Sequence, residues 1–325
     1  MLRRFSHLSV LLVFMVIVIA LMGLLNGKNF LSIGNFQSMA YQMPELGILT
    51  LAMMITMLTS GINLSIIASA NLAGIMMAMV LTRAFPPESA NSFGVILLAM
   101  LVGLLTSAVI GALNGVLIAY LDISPILATL GTMIMISGFA VVLTEGYVIS
   151  GLPENWRIIG NNAVLGIPIP IIIFAACAGF MALLLNRTPF GKQVYLIGSN
   201  PTACTFSGVN NRAVLFYTYM ISGIFSGIAS MVMISRFNSA KADYGESYLL
   251  LTILSAVLGG VDAAGGFGKV SGVVVSLIIL QMISSGLNLL GISNFFTLAL
   301  WGIVLILVMV IKYLIDSYVQ KRQLA

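Results

Sequence analysis

The sequence predicts an all-α, polytopic membrane protein, and three features support this fold class. Hydrophobic residues make up 60% of the 325 residues and charged residues only 7%, with a mean hydropathy of +1.13. Soluble domains carry about 25% charged residues. The apolar residues form segments close to the ~20 residues that a helix needs to cross the hydrocarbon core, and short alternating strands typical of a barrel fit poorly. We therefore expect a single transmembrane domain over residues 1–325.

Polar breaks divide the chain into about ten predicted spans. These are residues 8–26, 41–59, 63–82, 93–119, 125–143, 163–186, 213–234, 248–261, 270–289 and 294–315. Arg3 and Arg4 precede the first span as in a secretory signal, but this apolar run is longer than a signal core and lacks a small-residue cleavage site. The second and third spans are barely separated and the eighth is short, so counts from eight to ten are compatible with the pattern.

The distribution of Lys and Arg among the loops predicts that both termini are cytoplasmic, because short cytoplasmic loops carry an excess of these residues. In this orientation nine basic residues lie inside: Arg3, Arg4, Arg187, Lys192, Arg212, Lys269, Lys312, Lys321 and Arg322. Five lie outside: Lys28, Arg83, Arg157, Arg236 and Lys241. The net charge of +5 thus reflects membrane orientation, and the scattered basic residues give no indication of nucleic-acid binding.

The sequence offers little support for metal or nucleotide chemistry. The single histidine, His7, has no recognised ligand spacing to Cys177 or Cys204, so we expect no metal or other cofactor. The stretch "VDAAGGFGKV" resembles a phosphate loop, but Ala263 and Val270 replace the required Gly and Ser or Thr. A membrane enzyme is disfavoured because no nucleophile with a neighbouring base is evident. The glycines of "LGGVDAAGGFG" instead favour a tight, irregular turn.

Small residues at helical spacing predict close helix packing. Ser107, Gly111 and Gly115 recur every four residues, as do Gly223 with Gly227 and Gly268 with Gly272. Such rows let helix backbones approach one another.

Several polar side chains fall within the predicted spans, notably in "TSGINLSIIASANLAG", residues 59–74. The candidates for a substrate path are Asn63, Ser65, Asn71, Asn114 and Asn288. Polar groups at membrane depth are tolerated where they line a cavity or bond another helix, so interhelical hydrogen bonding is the alternative for each residue. A neutral lining of amides and hydroxyls would suit an uncharged polyol.

The longest internal polar stretch, residues 187–212, is predicted to be a cytoplasmic loop that contains a short helix from Pro201 to Ser207. Asn200 suits the N-cap, Pro201 the first helical position and Gly208 the left-handed stop. With Phe206 as an apolar anchor, this helix could dock in a groove of a soluble partner; a solvated connector is the alternative.

Six stretches of the chain follow one another in a specific order and spacing: "NFLSIGNFQSMAYQMPELGILTLAMMITMLTSGINLS", "LNGVLIAYLDISPILATLGT", "TPFGKQVYLIGSNPTACTFSGVN", "YTYMISGIFSGIASMVMISRFNSA", "GESYLLLTILSAVLGGVDAAGGFGKVSGVVVS" and "SSGLNLLGIS". In these stretches nearly the whole chain resembles the permease subunits of ribose-type sugar importers in the ATP-binding cassette class. The resemblance implies a bacterial inner-membrane permease that pairs with a second permease. It also implies a periplasmic binding protein that delivers sugar and a cytoplasmic ATPase, and it makes residues 200–208 the element that couples the ATPase to transport.

The chain departs from the family pattern at two positions. The family usually has Asp where Asn63 stands, and Ser199 replaces a glycine that commonly precedes the asparagine matching Asn200. The first change is compatible with a different substrate or with a heterodimer of diverged permeases.

An ion-coupled secondary transporter is the main competing function. Such a carrier favours titratable residues near the membrane midplane. Glu45, Asp122 and Asp262 fall near predicted span ends, which disfavours proton coupling but leaves sodium coupling open.

Overall fold

The computed structural model describes residues 7–86, 89, 91–293, 295–307 and 310. Arg3, Arg4 and the last residues of the tenth predicted span lie outside this part. The helices are α1 His7–Asn26, α2 Ile33–Met57, α3 Ile66–Met79, α4 Phe93–Ala119, α5 Pro125–Thr144, α6 Glu154–Asn161, α7 Ile169–Arg187, α8 Pro189–Ser199, α9 Pro201–Phe206, α10 Asn211–Phe237, α11 Tyr248–Leu258, α12 Val270–Leu289 and α13 Phe295–Leu307. The turns Gly27–Asn29 and Val80–Ala84 extend α1 and α3.

The strands in the described part form two short antiparallel pairs. β1 Ile149–Ser150 pairs with β4 Ser239–Ala240, and β2 Ala163–Val164 pairs with β3 Ile167–Pro168. Each strand has only two residues, so these pairs only hold loops together. The prediction of an all-α bundle is therefore confirmed.

Helices lie at all ten predicted span positions, and seven described helices are long and apolar enough to cross a membrane. The seven are Leu8–Asn29, Ile66–Ala84, Phe93–Ala119, Pro125–Thr144, Ile169–Arg187, Asn211–Phe237 and Val270–Leu289. Helix α2 is not among them, and the apolar helices α11 and α13 are shorter in the described part. The structure therefore establishes a polytopic helical bundle, while the count of ten spans stays a prediction.

Helix α2 begins at Ile33, eight residues before the predicted start of the second span. The Ser32 side chain caps it by accepting a hydrogen bond from the amide of Asn35 at 3.2 Å. Glu45 consequently lies twelve residues from either end of α2, about 18 Å along the axis. The Ser32 cap lets the helix continue through a polar segment, and α2 is not among the candidate spans, so the expectation that Glu45 lies near a span end stays a prediction.

The two ends of helix α10 define two ends of the bundle, about 40 Å apart for a helix of this length. We call them the Asn200 end and the Trp156 end. At the first, the Asn211 side chain bonds the carbonyl of Pro201 at 2.8 Å. At the second, the Ser235 hydroxyl donates to the carbonyl of Trp156 at 2.7 Å.

The packing of α4 against α10 confirms the predicted role of the small residues on these two helices, whereas Gly268 precedes the start of α12 at Val270 and does not form a helical row with Gly272. A side chain at Gly111 would meet the backbone of Tyr219 and Gly223, and one at Gly227 would meet Ser107. This is the most extensive helix contact in the described bundle. Backbone contact at this interface fixes α10, which also packs on α2 and α3.

An irregular junction at the Asn200 end contains the glycine-rich turn expected from "LGGVDAAGGFG". Gly266 has a positive φ of 77° and donates its amide to the carbonyl of Leu58 at 2.9 Å. The Ser60 hydroxyl lies 3.1 Å from the carbonyl of Gly198 and 2.5 Å from that of Ala264. A side chain at Gly198 would overlap the carbonyl of Leu58, so the close approach itself requires glycine.

Candidate functional site

Three of the predicted path residues lie together in a buried cluster of hydrogen bonds, which we call the amide network: Asn63, Ser65, Asn114, Thr132 and Ser222. The Asn63 amide donates to the Ser222 hydroxyl at 3.0 Å, and its oxygen accepts from the Ser65 hydroxyl at 2.8 Å. The Asn114 amide donates to Ser65 at 2.8 Å, and its oxygen accepts from Thr132 at 2.7 Å. All five side chains are buried.

The amide network lies where the chain is not helical, between α2 and α3. Residues 61–65 are irregular, and their backbone groups need partners other than a helix ladder. The hydroxyl of Thr129 accepts from the amide of Leu64 at 3.1 Å and lies 3.1 Å from the carbonyl of Ile62. Ser222 donates onward to the carbonyl of Ala52 at 2.8 Å. The network thus ties α2, α4, α5 and α10 to the broken segment.

The other two path candidates lie elsewhere. The Asn71 amide donates to the carbonyls of Ala242 and Tyr244 at 2.8 and 3.0 Å, so it fastens the loop after α10 to α3. Its side-chain oxygen is buried with no hydrogen-bond partner. Asn288 is exposed in the last turn of α12, a helix that packs on α1, α2 and α11. Three of the five path candidates therefore share one hydrogen-bond network and two do not join it, and the role of all five on a substrate path stays a prediction.

The short helix of the 187–212 segment has the residues that were predicted to begin and end it. The Asn200 side chain accepts from the amide of Ala203 at 2.9 Å, Pro201 occupies the first position and Gly208 has a φ of 78°. The helix ends at Phe206, one residue earlier than expected, and the Phe206 side chain is 89% exposed. We call Pro201–Phe206 the surface helix.

A second polar cluster was not expected from the sequence. We call Glu45, Arg236 and Tyr248 the Glu45 cluster. The Arg236 Nε and Nη2 atoms donate to the two Glu45 oxygens at 3.1 and 2.6 Å, and the Tyr248 hydroxyl donates to Oε1 at 2.6 Å. Glu45 is fully buried, whereas one fifth of the Arg236 side chain is exposed. This ion pair joins the middle of α2 to the end of α10 and the start of α11.

A cavity of about 120 Å³ borders the Glu45 cluster, and we call it the Glu45 cavity. Its lining comes from α2, α10, α11, α12 and α13: Gln42, Leu46, Arg236, Tyr248, Leu251, Leu280, Gln281, Ser284 and Trp301. Among the described residues, no group of three His, Cys, Asp or Glu side chains could hold a metal ion.

A family model described as the permease component of a branched-chain amino acid transport system matches residues 35–311. The chain belongs to this permease family. The match includes the amide network, the surface helix and the Glu45 cluster. The permease is therefore a multi-pass protein of the bacterial inner membrane.

Curated relatives of the permease match over almost their full length. It is 33% identical to the ribose import permease protein RbsC of Bacillus subtilis, over 90% of this chain and 88% of that protein. It is 32% identical to the autoinducer 2 import system permease protein LsrD of Enterobacter, over 92% of this chain and 90% of the relative. The LsrD protein of Yersinia enterocolitica is 31% identical over 99% and 98% of the two chains. These matches confirm the resemblance to ribose-type importer permeases; no solved structure matches the chain.

The Glu45 cluster was missed because its members are far apart in sequence. Glu45 and Arg236 are separated by 191 positions, and nothing local predicts that they meet. One signal was present: an ionisable residue inside a membrane segment indicates a functional site and usually has a charged partner. Glu45 lies inside the predicted second span, residues 41–59, so a basic partner on another helix could have been sought for it.

Proposed function

We propose that the permease forms the translocation path of an ATP-driven importer for a sugar or a related polyol. The single observation that carries the proposal is the near full-length match to a ribose permease and to autoinducer 2 permeases. The proposed partners are a second permease, identical or homologous, a cytoplasmic ATP-binding subunit and a periplasmic sugar-binding protein. The permease itself is a transport subunit, and hydrolysis would take place on the ATP-binding partner.

The chemistry of the bundle supports an uncharged substrate. The amide network consists of neutral groups that both donate and accept hydrogen bonds, as a polyol requires. Asn63, Ser65 and Asn114 remain our candidates for the path, and Asn71 and Asn288 remain weaker ones. The alternative role for these residues is hydrogen bonding between helices, and the bonds that they make within the protein are compatible with it.

We further propose ten spans with both termini in the cytoplasm, so that the Asn200 end faces the cytoplasm and the Trp156 end the periplasm. Cysteines introduced at Glu154 and Lys241 should then react with an impermeant thiol reagent added to the periplasm. A cysteine at Gln193 should react only after the cytoplasmic side is opened. The opposite pattern would reverse the orientation.

The surface helix is the proposed contact with the ATPase. Its capped start makes it rigid, and its exposed Phe206 offers an apolar anchor to a groove. Phe206→Asp should reduce uptake and the ATP hydrolysis that loaded binding protein stimulates, since truncating an interface anchor costs about 2 kcal/mol or more. Phe267→Asp, at another exposed phenylalanine outside the surface helix, is the matched control. Full uptake in the Phe206→Asp variant would show that the surface helix only connects α8 to α10.

Purification with partners tests the proposed function most simply. A permease of this class should retain an ATP-binding subunit in mild detergent, and the reconstituted complex should take up labelled sugar only with ATP inside the vesicles. An ion-coupled carrier would instead transport alone, driven by a sodium or proton gradient. Transport by the isolated chain under such a gradient would contradict the proposal.

A further inference from the structure

The Glu45 cavity lies where two helices have their ends beside the middle of a longer helix. Helix α10 ends at Phe237 and α11 begins at Tyr248, and both termini meet α2 near its middle, at Glu45. Helix α2 continues for twelve more residues toward Ile33, and its Asn35 oxygen accepts from Ser285 of α12 at 2.7 Å. The cavity therefore lies beside α2 and α12, at the depth where their neighbours begin and end.

The lining of the Glu45 cavity supplies donors and acceptors of the kind that a polyol needs. The Gln281 amide donates to the Gln42 oxygen at 3.3 Å across the gap between α12 and α2. The two bonds from Arg236 to Glu45 use two of the five N–H donors of the guanidinium. With the hydroxyl of Ser284, three helices present polar groups to one cavity.

Aromatic and aliphatic residues complete the lining. The Tyr248 ring and the buried Trp301 contribute flat apolar surfaces, and Leu46, Leu251 and Leu280 fill the remainder. Small-molecule sites combine apolar surfaces with a few placed polar groups, and this cavity has both. A sugar ring has C–H faces that pack on an aromatic ring and hydroxyl edges that bond amides, so this mixture suits it. The volume of about 120 Å³ has room for several waters or a small polar solute.

The fully buried Glu45 holds two of these groups in place. Its carboxylate accepts from Arg236 and from Tyr248, which fixes a guanidinium and a phenol ring at the cavity wall. The carboxylate is already occupied by three hydrogen bonds, so it is suited to position the wall instead of binding the solute itself.

We propose that the Glu45 cavity is a binding site for an uncharged polyol on the path through the permease, with Gln42, Gln281, Arg236 and Ser284 as the hydrogen-bonding groups. Glu45 is the positioning residue. This site rests on the proposed function and adds to it a location that lies apart from the amide network.

The test uses the complete importer in proteoliposomes, with ATP inside and ¹⁴C-labelled D-ribose, D-xylose or D-glucose supplied with the binding protein. Gln42→Leu/Gln281→Leu should lower uptake about tenfold or more, because two amides that would bond the solute are lost. Stimulated ATP hydrolysis should stay within about twofold of the parent, because the surface helix is untouched. Gln37→Leu, at an exposed position on the same helix, is the matched control and should transport normally.

A second variant keeps the test decisive if the double substitution fails to assemble. Ser284→Phe fills the cavity without removing a bond that the structure describes, and it should block uptake. Parent-level uptake in the assembled double variant or in Ser284→Phe would overturn the site. A parallel loss of uptake, ATP hydrolysis and abundance in both variants would also overturn it, as a purely structural role. If the parent importer carries none of the three sugars, the proposed function fails, which is a distinguishable result.

Discussion

The amide network and the Glu45 cluster are both buried polar groups inside an apolar bundle, but they differ in their surroundings. The amide network is enclosed by protein, and its bonds end on other members or on backbone carbonyls such as that of Ala52. The Glu45 cluster contains a charge pair, and its Arg236 and Tyr248 border a cavity. Polar residues in a membrane segment can thus join helices or form a site, and the presence of an adjoining cavity distinguishes the two roles.

The largest expected effect follows from breaking the buried ion pair. Arg236→Met leaves the Glu45 carboxylate buried without its cation, which costs about 3–5 kcal/mol. The thermal unfolding of the purified complex should therefore shift strongly to lower temperature. The double variant Glu45→Leu/Arg236→Met removes both charges and should recover much of the stability, while uptake stays low because the cavity has lost its guanidinium. Recovery of uptake together with stability would show that the Glu45 cluster only stabilises the helix contacts and has no role in binding substrate.

A smaller loss of stability is expected in the amide network. Asn63→Leu removes the donor to Ser222 and the acceptor of the Ser65 hydroxyl, at a cost of about 1–3 kcal/mol, although each serine keeps one other partner. Asn288→Leu is the matched control, since an exposed position should change stability by less than about 0.5 kcal/mol. Uptake per assembled complex then decides the role of Asn63 on the path. A sharp fall supports that role, and undiminished uptake removes Asn63 from the path candidates.

The smallest effects come from removing one hydroxyl in each region. Thr132→Val and Tyr248→Phe each remove one hydroxyl donor, and each should cost about 1 kcal/mol of stability. Only Tyr248→Phe should also lower uptake measurably, because the lost bond to Glu45 holds the ring that lines the cavity. If both substitutions change uptake per assembled complex equally, the amide network and the Glu45 cluster do not differ in their role in transport.

Local signals in the sequence predicted much of the fold. The apolar runs indicated the helices, the small residues around Gly111 and Gly223 indicated close helix packing without naming the partners, and Asn200 and Gly208 marked the ends of the surface helix. These features depend on residues within one or two helical turns. The start of α2 was missed because the spans were predicted from runs of apolar residues, and the Ser32 cap lies in a polar segment before such a run.

The candidate sites were harder to predict, since they depend on distant contacts. Asn63, Ser65 and Asn114 were selected for polarity, and the fold brings them together through Ser222 and Thr132, which polarity alone did not distinguish. The pairing of Glu45 with Arg236 requires the relative tilt of α2 and α10. No local pattern contains that information.

The central claim is that substrate reaches the Glu45 cavity. Its most direct test is thiol labelling of the assembled importer, with the buried Cys177 and Cys204 replaced by alanine. We expect Ser284→Cys to react with a charged, membrane-impermeant reagent added from the periplasm, and the reaction to slow when ribose-loaded binding protein is present. Ser276→Cys, at a fully buried position on the same helix as Ser284, should stay unreactive until the protein is denatured. A cysteine at Ser284 that stays unreactive both with and without ATP would contradict the account.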